Sequence, residues 1–310
     1  MGFAVAPASV VGSEQSGYGF LKVKTNPALP TLVLVNGIPM DGWEIKKVPA
    51  AASDVIVSFT DVPGYVTPGP LAVQVLEGET TTVVADFVPM GMLRVTTEPA
   101  VKSTIYVDDI ARDDYGLWLW VAPGKHTVSF GPVAGYDAPA AKTVRVNAGQ
   151  TTTVNGVFVA DAGATDPAGV GLLRVTSSPA VPTTVSVNGI PRDSYGLGWL
   201  KLEPGIYEVS FSDVPNYMTP DPVVVEVREG EVSTVTGEFV KLGGLRVVTT
   251  PPNSAVISID GVARDSWGIW IVLPEGWYTV SFGDVPGHDT PPPQTVLVVP
   301  GQTTLVIGVY

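Results

Sequence analysis

The stretch YVDDIARDDYGLWLW, at residues 106–120, is one copy of a repeated motif, and the repeat reveals how the chain is organised. In fifteen residues it holds four aspartates, an arginine and two tryptophans, a composition that a binding or catalytic site would also have. Related stretches occur three more times, as LVNGIPMDGWEIKKV at 34–48, SVNGIPRDSYGLGWL at 186–200 and SIDGVARDSWGIWIV at 258–272. The 310 residues therefore contain four copies of one repeat, of which the first is the most divergent.

Other segments recur with the same spacing. Each copy opens on an apolar–basic–Val pattern, as FLKVKT at 20–25, MLRVTT at 92–97, LLRVTS at 172–177 and GLRVVT at 244–249. Each copy later has an alternating segment that ends in Val-Ser-Phe, at Phe59, Phe130, Phe211 and Phe282. The period is about 72 residues, and one interval is about eight residues longer, where DAGATDPAG follows Ala160. This period is typical of small domains in series, and the inserted stretch indicates a linker.

The hydrophobic pattern within each copy predicts β-strands. In IYEVSF at 206–211, the side chains of Tyr207, Val209 and Phe211 share one face of an extended chain, and no segment shows sustained helical periodicity. Two-residue hairpin turns need positive φ, which Asn, Asp and Gly accept best. Such turns are predicted at Asn36-Gly37, Asp108-Asp109, Asn188-Gly189 and Asp260-Gly261.

The predicted fold is all-β, with four tandem small antiparallel β-sandwich domains of immunoglobulin-like type and a short N-terminal extension. The expected boundaries are an extended segment at 1–17, sandwiches at 18–90 and 91–160, a linker at 161–170, and sandwiches at 171–242 and 243–310.

The repeat resembles a known group of modules. A Leu-x-Val strand, a proline, a Val-x-Val-Asn-Gly hairpin and a Pro-Gly turn before Tyr-x-Val are similar to PEGA-type β-sandwich repeats, which are related to immunoglobulin-like and carboxypeptidase-regulatory-like modules. The resemblance covers nearly all of the chain after Tyr18. It implies an extracytoplasmic structural or binding module without chemistry of its own. The Arg-Asp-x-aromatic-Gly stretch departs from the PEGA pattern.

Composition restricts the partners. The net charge of −13 and the pI near 4.5 disfavour nucleic acid and anionic membranes. Only 15% of residues are charged, against about 25% in a typical soluble domain, and such a surface favours self-association. The absence of cysteine excludes disulfides and thiolate sites. The sequence contains no run of about 18 apolar residues, so we expect no membrane span.

The positions of the two histidines argue against a catalytic site. His126 takes the place of Tyr207 and Tyr278, and His288 takes the place of a tyrosine in the other copies, so each replaces a structural aromatic residue. A serine nucleophile would need a base nearby, and none is indicated. We therefore expect no enzyme activity and no cofactor.

The repeated stretch has several interpretations. Asp108, Asp109, Asp113 and Asp114 could bind calcium, although the third copy has fewer acids. Exposed tryptophans could stack on carbohydrate, and the possible contact residues are Trp118, Trp120, Trp199, Trp267 and Trp270. The favoured interpretation is structural: the aspartate caps the turn, the arginine pairs with it or lies over an aromatic ring, and the tryptophan fills the end of the sandwich. A contact between domains or subunits is the remaining alternative.

The N-terminal segment lies outside the repeat. Its sequence FAVAPASVV, at 3–11, is apolar, and Pro7 excludes a helix there. We expect it to add as a strand to the sheet edge of another copy, with Phe3, Val5, Val10 and Val11 as the assembly residues. The alternative is that it covers its own first domain. The segment has no basic n-region and is a poor signal peptide.

Taken together, the sequence predicts a non-enzymatic structural subunit of an extracellular or cell-surface assembly, with other copies of itself as the main partner and a fibre as the expected product. Head-to-tail strand addition would build such a fibre, because a heterologous contact propagates. The alternatives are a carbohydrate-binding surface adhesin, with polysaccharide as partner, and a virion surface or tail-decoration protein.

Overall fold

The computed structural model describes residues 17–161 and 169–310. Every regular element in these two ranges is a β-strand, and the strands form four units of the same design, which confirms the all-β tandem-sandwich fold. A helix long and apolar enough to cross a membrane does not occur in the described ranges.

The strand bounds are as follows. Unit 1 contains β1 Tyr18–Asn26, β2 Val33–Val35, β3 Ile38–Asp41, β4 Ile45–Ala51, β5 Asp54–Phe59, β6 Tyr65–Val66, β7 Leu71–Gln74, β8 Thr80–Asp86 and β9 Val88–Pro89. Unit 2 contains β10 Gly91–Glu98, β11 Ile105–Val107, β12 Ile110–Asp113, β13 Leu117–Val121, β14 Gly124–Phe130, β15 Tyr136–Asp137, β16 Lys142–Val146, β17 Thr151–Val157 and β18 Val159–Ala160.

Unit 3 repeats this order, and unit 4 repeats it without the two short strands that form a two-stranded sheet in units 1 to 3. Unit 3 contains β19 Gly171–Ser178, β20 Val185–Val187, β21 Ile190–Asp193, β22 Leu197–Leu202, β23 Gly205–Phe211, β24 Tyr217–Met218, β25 Val223–Val227, β26 Val232–Glu238 and β27 Val240–Lys241. Unit 4 contains β28 Gly243–Thr250, β29 Ile257–Ile259, β30 Val262–Asp265, β31 Ile269–Leu273, β32 Gly276–Phe282, β33 Gln294–Val298 and β34 Thr303–Val309.

Each unit is a sandwich of a three-stranded and a four-stranded sheet. In unit 1 the strand orders are β4-β1-β8 and β3-β2-β5-β7, and the other units repeat them. Most pairs are antiparallel, but β1 pairs with β8 in parallel, and so do their equivalents in every unit. We expected purely antiparallel sheets. The three-stranded sheet is instead mixed, because the last long strand of each unit runs beside the first strand in the same direction.

Alternation along the strands builds the core of each unit. In unit 2, Leu93 and Val95 of the first strand are buried, whereas Arg94 between them is exposed. They belong to one cluster with Val107 and Val128 of the facing sheet. The period-2 pattern thus places apolar side chains between the sheets and polar ones outside.

The four repeated phenylalanines occupy equivalent positions, as predicted. Each lies opposite the first residue of the short second strand, in the pairs Val33–Phe59, Ile105–Phe130, Val185–Phe211 and Ile257–Phe282. Each ring meets a second aromatic ring edge-to-face, for example Phe211 and Phe239 with centroids 5.8 Å apart. Phe59 and Phe282 are buried, while Phe130 and Phe211 are half-buried. A Cβ on Gly237 would lie 2.5 Å from the Phe211 ring, so only glycine fits under it.

The predicted hairpin turns are also confirmed. Asn36 and Gly37 have φ of 50° and 77°, and Asp108 and Asp109 have 52° and 63°. Asn188-Gly189 and Asp260-Gly261 are likewise in the left-handed region. The strand that follows each turn is the edge strand of the four-stranded sheet. It carries the Arg-Asp pair of the repeat, or Met40-Asp41 in unit 1.

Truncating a core phenylalanine should destabilise its unit. Phe282→Ala is expected to lower the free energy of unfolding by about 3–5 kcal/mol, because it leaves a cavity between the sheets. Ile206→Ala is the control, since Ile206 is 73% exposed and should change stability by less than about 0.5 kcal/mol. Urea denaturation followed by circular dichroism measures both. Equal midpoints for the two variants would contradict the proposed core.

Candidate site at the junctions between units

The repeated Arg-Asp stretch joins the units in pairs. We expected four small domains in a string, but the stretch of unit 2 contacts that of unit 3, and the stretch of unit 1 contacts that of unit 4. The inner pair is consecutive in the chain, and the outer pair brings together residues as far apart as Asp41 and Trp270. The stretch therefore makes a contact between units, which was the remaining alternative, in addition to shaping its own turn.

A carboxylate serves both the turn and the neighbouring unit. Asp113 accepts the Tyr115 N–H on Oδ1 at 2.7 Å, which caps its own turn as predicted. Its Oδ2 accepts the Gly198 N–H of unit 3 at 2.7 Å. In return, Oδ2 of Asp193 in unit 3 accepts the Trp118 N–H of unit 2 at 2.8 Å. The contact is reciprocal, so the two units are related by a pseudo-twofold axis between them.

Backbone hydrogen bonds follow the same symmetry. The Asp114 N–H donates to the carbonyl of Trp199, and the Ser194 N–H donates to the carbonyl of Trp118, each at 2.6 Å. Edge strands that would otherwise leave main-chain groups unpaired thus satisfy each other.

The arginines also reach across the junction. We expected Arg112 to pair with its neighbouring aspartate or to lie over an aromatic ring. Instead, Nη1 of Arg112 donates to the carbonyl of Pro191, and Nη1 of Arg192 donates to the carbonyl of Ala111. The Nε atoms of both are buried and find no acceptor among the described residues. Desolvation lowers the pKa of both guanidinium groups, and the charge of Arg112 lowers that of Arg192 further.

The junction between units 1 and 4 uses the same contacts. Oδ2 of Asp41 accepts the Trp270 N–H at 2.9 Å, and Oδ2 of Asp265 accepts the Lys46 N–H at 2.6 Å. The Gly42 N–H donates to the carbonyl of Trp270 at 2.6 Å. The aspartate is therefore the component that both junctions share.

The arginine contact is one-sided in this outer pair. Nη1 of Arg264 donates to the carbonyl of Pro39. Met40 stands at the corresponding place in unit 1 and cannot return the bond. The outer junction thus holds one buried guanidinium where the inner junction holds two, which lowers its desolvation cost.

Burial raises the pKa of the junction aspartates. The pKa of Asp113 is raised to about 8 by desolvation and then by the charge of Asp193, and that of Asp193 is raised to about 7 by desolvation. Desolvation also raises the pKa of Asp41 to about 6 and raises that of Asp265. The backbone N–H donors oppose these shifts, since they favour the charged form.

The two pairs also touch each other. The Asp61 N–H of unit 1 donates to Oδ2 of Asp213 in unit 3 at 3.3 Å. Trp120 of unit 2 lies beside Gly64 of unit 1. The four units therefore form one packed cluster within the described ranges.

The tryptophans named in the sequence analysis lie at these junctions and not inside the sandwiches. Trp118, Trp267 and Trp270 are 37%, 50% and 41% exposed, and Trp120 and Trp199 are half-buried. The ring of Trp118 meets Tyr195 of unit 3 edge-to-face at 5.9 Å, with Arg94 over it at 4.8 Å. A role in binding carbohydrate stays a prediction.

Three of the four acids considered for calcium are engaged in two different places. Asp108 accepts the Thr127 N–H and contacts Nδ1 of His126 at 2.7 Å, whereas Asp113 and Asp114 face unit 3. Among the residues that the structure describes, no group of three or more His, Cys, Asp or Glu side chains could hold a metal ion.

Both histidines take the structural places predicted for them. Nε2 of His126 lies 2.8 Å from the carbonyl of Ala122, and the Tyr207 hydroxyl donates to the equivalent carbonyl of Glu203 at 2.9 Å. His288 packs against the Tyr310 ring at 6.3 Å. The predicted assembly residues Phe3, Val5, Val10 and Val11, and most of the predicted linker, lie outside the described ranges.

Comparisons with known proteins give distant likenesses. No protein-family model matches the chain, and no curated protein sequence matches it. The Bacillus anthracis TIE protein is similar in structure at 15% identity and a TM-score of 0.22, over 94% of this chain and 67% of that one. A streptococcal ancillary pilin matches at 12% identity and a TM-score of 0.19, over 71% and 98%. BcpA, the major pilin subunit of Bacillus cereus, matches at 8% identity and a TM-score of 0.20, over 94% and 98%. TM-scores this low do not indicate a shared arrangement, so these likenesses carry no conclusion about function.

Removing one junction carboxylate should weaken the inner pair. Asp193→Ala is expected to lower the free energy of unfolding by about 1–3 kcal/mol, because the Trp118 N–H and its own turn lose their acceptor. Asp137→Ala is the matched control, since Asp137 is exposed in unit 2. Urea denaturation at pH 6 compares the two. If Asp193→Ala proves no less stable than Asp137→Ala, the junction role of this carboxylate is excluded.

Stability should fall as pH rises. The pKa of Asp113 rises on folding from 3.8 to about 8, and that of Asp193 from 3.8 to about 7, so the folded state holds these protons more tightly than the unfolded chain. Their contribution is therefore full below about pH 4 and is lost as pH rises through the folded values.

Melting temperatures between pH 4.5 and 8.5 test this direction. The double variant Asp113→Asn and Asp193→Asn should show a flatter pH dependence than the parent, whereas Asp137→Asn should keep the parent slope. A melting temperature that rises with pH in the parent, or an unchanged slope in the double variant, would contradict the assignment.

Proposed function

We propose that the chain is a non-enzymatic structural subunit of an extracellular or cell-surface assembly, and that copies associate head to tail. The buried aspartates and arginines, which would be the obvious groups for chemistry, are occupied by contacts between units. What remains available for partners is the surface of the cluster and its free strand edges.

The observation that carries the proposal is the outer face of β34. Leu305, Ile307 and Val309 are 55%, 42% and 67% exposed, and they form one row along the strand. The equivalent positions in the last long strand of the other units can be found from the pairing of that strand with the first strand of its unit. They are mostly polar: Thr82, Val84 and Asp86 in unit 1, Thr153, Asn155 and Val157 in unit 2, and Thr234, Thr236 and Glu238 in unit 3. An exposed apolar row that the other units lack favours a protein contact.

β34 is also an edge strand. It is the outer member of the sheet β31-β28-β34, so an added strand can pair with its outward main-chain groups. The Gln294 side chain donates to the carbonyl of Ile307 at 2.9 Å, so one main-chain acceptor of this strand is already engaged. β8, β17 and β26 are outer strands of the equivalent sheets, so the apolar row is what distinguishes β34.

The N-terminal segment of another copy is the occupant that fits this edge. FAVAPASVV at 3–11 is longer than the seven residues of β34, and Phe3 and Val5 would fall on one face of an added strand. Each large apolar side chain buried there contributes about 1.5–3 kcal/mol, and each main-chain hydrogen bond contributes about 0.5–1.5 kcal/mol. The segment and the edge are different surfaces, so a contact between two copies is heterologous and propagates into a fibre.

Two changes test the assembly from both sides of the contact. Deleting residues 1–16 should leave the circular dichroism spectrum unchanged but abolish polymers in sedimentation velocity and negative-stain microscopy. Leu305→Thr with Ile307→Thr, which copies Thr234 and Thr236 of unit 3, should do the same. Val224→Thr, at a 68% exposed position in unit 3, is the control and should still polymerise.

Two results would refute the mechanism. The first is polymers that persist after the deletion. The second is a deletion that lowers the melting temperature of the first unit without changing assembly, because the segment would then cover its own unit.

A further inference from the structure

A groove runs between units 1 and 4 on the outer side of their junction. Its volume is about 710 Å³, within the range of about 300–1,000 Å³ that is typical of ligand sites. Three tryptophans and three basic residues line it: Trp43, Trp267, Trp270, Lys24, Lys46 and Arg246. We call this the aromatic groove.

Two of the indole rings have free faces. Trp43 is 46% exposed and Trp267 is 50% exposed. Neither ring meets another aromatic ring or a cation among the described residues, whereas Trp270 has Arg246 over it at 5.6 Å. Large half-exposed rings on both walls of a groove suit a ligand with flat apolar faces, such as the rings of a sugar chain.

The junction holds the backbone at all three tryptophans before any ligand arrives. Oδ1 of Asp41 accepts the Trp43 N–H and Oδ2 accepts the Trp270 N–H, both at 2.9 Å. Oδ1 of Asp265 accepts the Trp267 N–H at 2.9 Å. The backbone of each tryptophan is therefore held by a buried carboxylate, and such preorganisation lowers the entropic cost of binding.

The exposed charges of the groove are mainly basic. Its lining holds three basic and three acidic side chains, but Asp41 and Asp265 are buried and are engaged by backbone N–H groups, which leaves Glu44 as the remaining acid. Lys24, Lys46 and Arg246 are exposed, and none of them forms an ion pair with a described residue. In a chain of net charge −13, exposed cations around tryptophan rings favour an anionic ligand.

At the inner junction, the tryptophan rings are in contact with other side chains of the chain. There Trp118 packs against Tyr195, and Lys102 lies over Trp199 at 4.4 Å. In unit 1 the place of Trp199 is taken by Lys47, which lies over Phe20 at 4.0 Å. The tryptophan rings of the inner junction are thus covered by other side chains, whereas Trp43 and Trp267 at the outer junction are not.

From this geometry we propose that the aromatic groove binds an acidic polysaccharide, with Trp43 and Trp267 stacking on sugar rings and Lys24, Lys46 and Arg246 pairing with carboxylates. Nucleic acid is the competing polyanion, because bases also stack on aromatic rings in basic grooves. Its charge density, about one charge per 1.7 Å of duplex, is opposed by the net charge of −13 of the chain. Arg246 of the groove is the cross-strand neighbour of Leu305, so the groove and the exposed row of β34 lie side by side on one sheet face.

Isothermal titration calorimetry on the full chain tests the proposal. The probes are oligogalacturonate, hyaluronan and alginate fragments, with neutral maltoheptaose and a short poly(dT) for comparison. At least one acidic glycan should bind saturably, at least 10-fold more tightly than maltoheptaose. Trp43→Ala with Trp267→Ala should weaken it by 10-fold or more. Trp277→Ala, at a 69% exposed position outside the groove, should not weaken it.

The basic residues give a second readout. Lys24→Ala with Lys46→Ala should weaken acidic-glycan binding and reduce its salt dependence, while the melting temperature stays unchanged because both side chains are exposed. Four results would overturn the proposal: no saturable binding of any of the three acidic glycans, binding unaffected by the double tryptophan variant, equal affinity for maltoheptaose, or tighter binding of poly(dT).

Discussion

The bond between a buried aspartate and the backbone N–H of another unit is the contact on which the arrangement depends. One oxygen of Asp113 holds its own turn and the other holds Gly198 of the neighbouring unit. The shape of the hairpin and the contact between units are therefore set by the same group. Asparagine can keep only one of these two bonds, since an amide has one acceptor oxygen.

This contact is held against a substantial desolvation cost. Withdrawal from water raises the pKa of both inner-junction carboxylates, and the charge of Asp193 raises that of Asp113 further. The buried guanidinium groups add a similar cost, because the Nε atoms of Arg112 and Arg192 have no acceptor in the described ranges. Apolar packing within each sandwich must supply the free energy that offsets these terms. The junctions thus specify which units pair, and they contribute less to the stability of the chain.

Local patterns were enough to predict the strands, the turns and the equivalence of the repeats. Asn36-Gly37 could be placed because its φ angles are a property of two residues, and Phe282 because alternation fixes its face. The partners of Asp41 could not be predicted, since Trp270 is 229 residues away and periodicity does not say which units touch. The parallel pairing of β1 with β8 was missed for the same reason. One signal was available: Asp41 keeps the aspartate although Met40 has lost the arginine.

The reciprocity of the junction also records how such a chain could arise. A contact in which each partner offers the same surface to the other is one that two separate, identical molecules can make. A single ancestral module carrying the Arg-Asp hairpin would already have been able to dimerise, before any gene duplication joined it to its copies. Duplication would turn such an intermolecular pairing into an intramolecular one, of the kind that both junctions of this chain show.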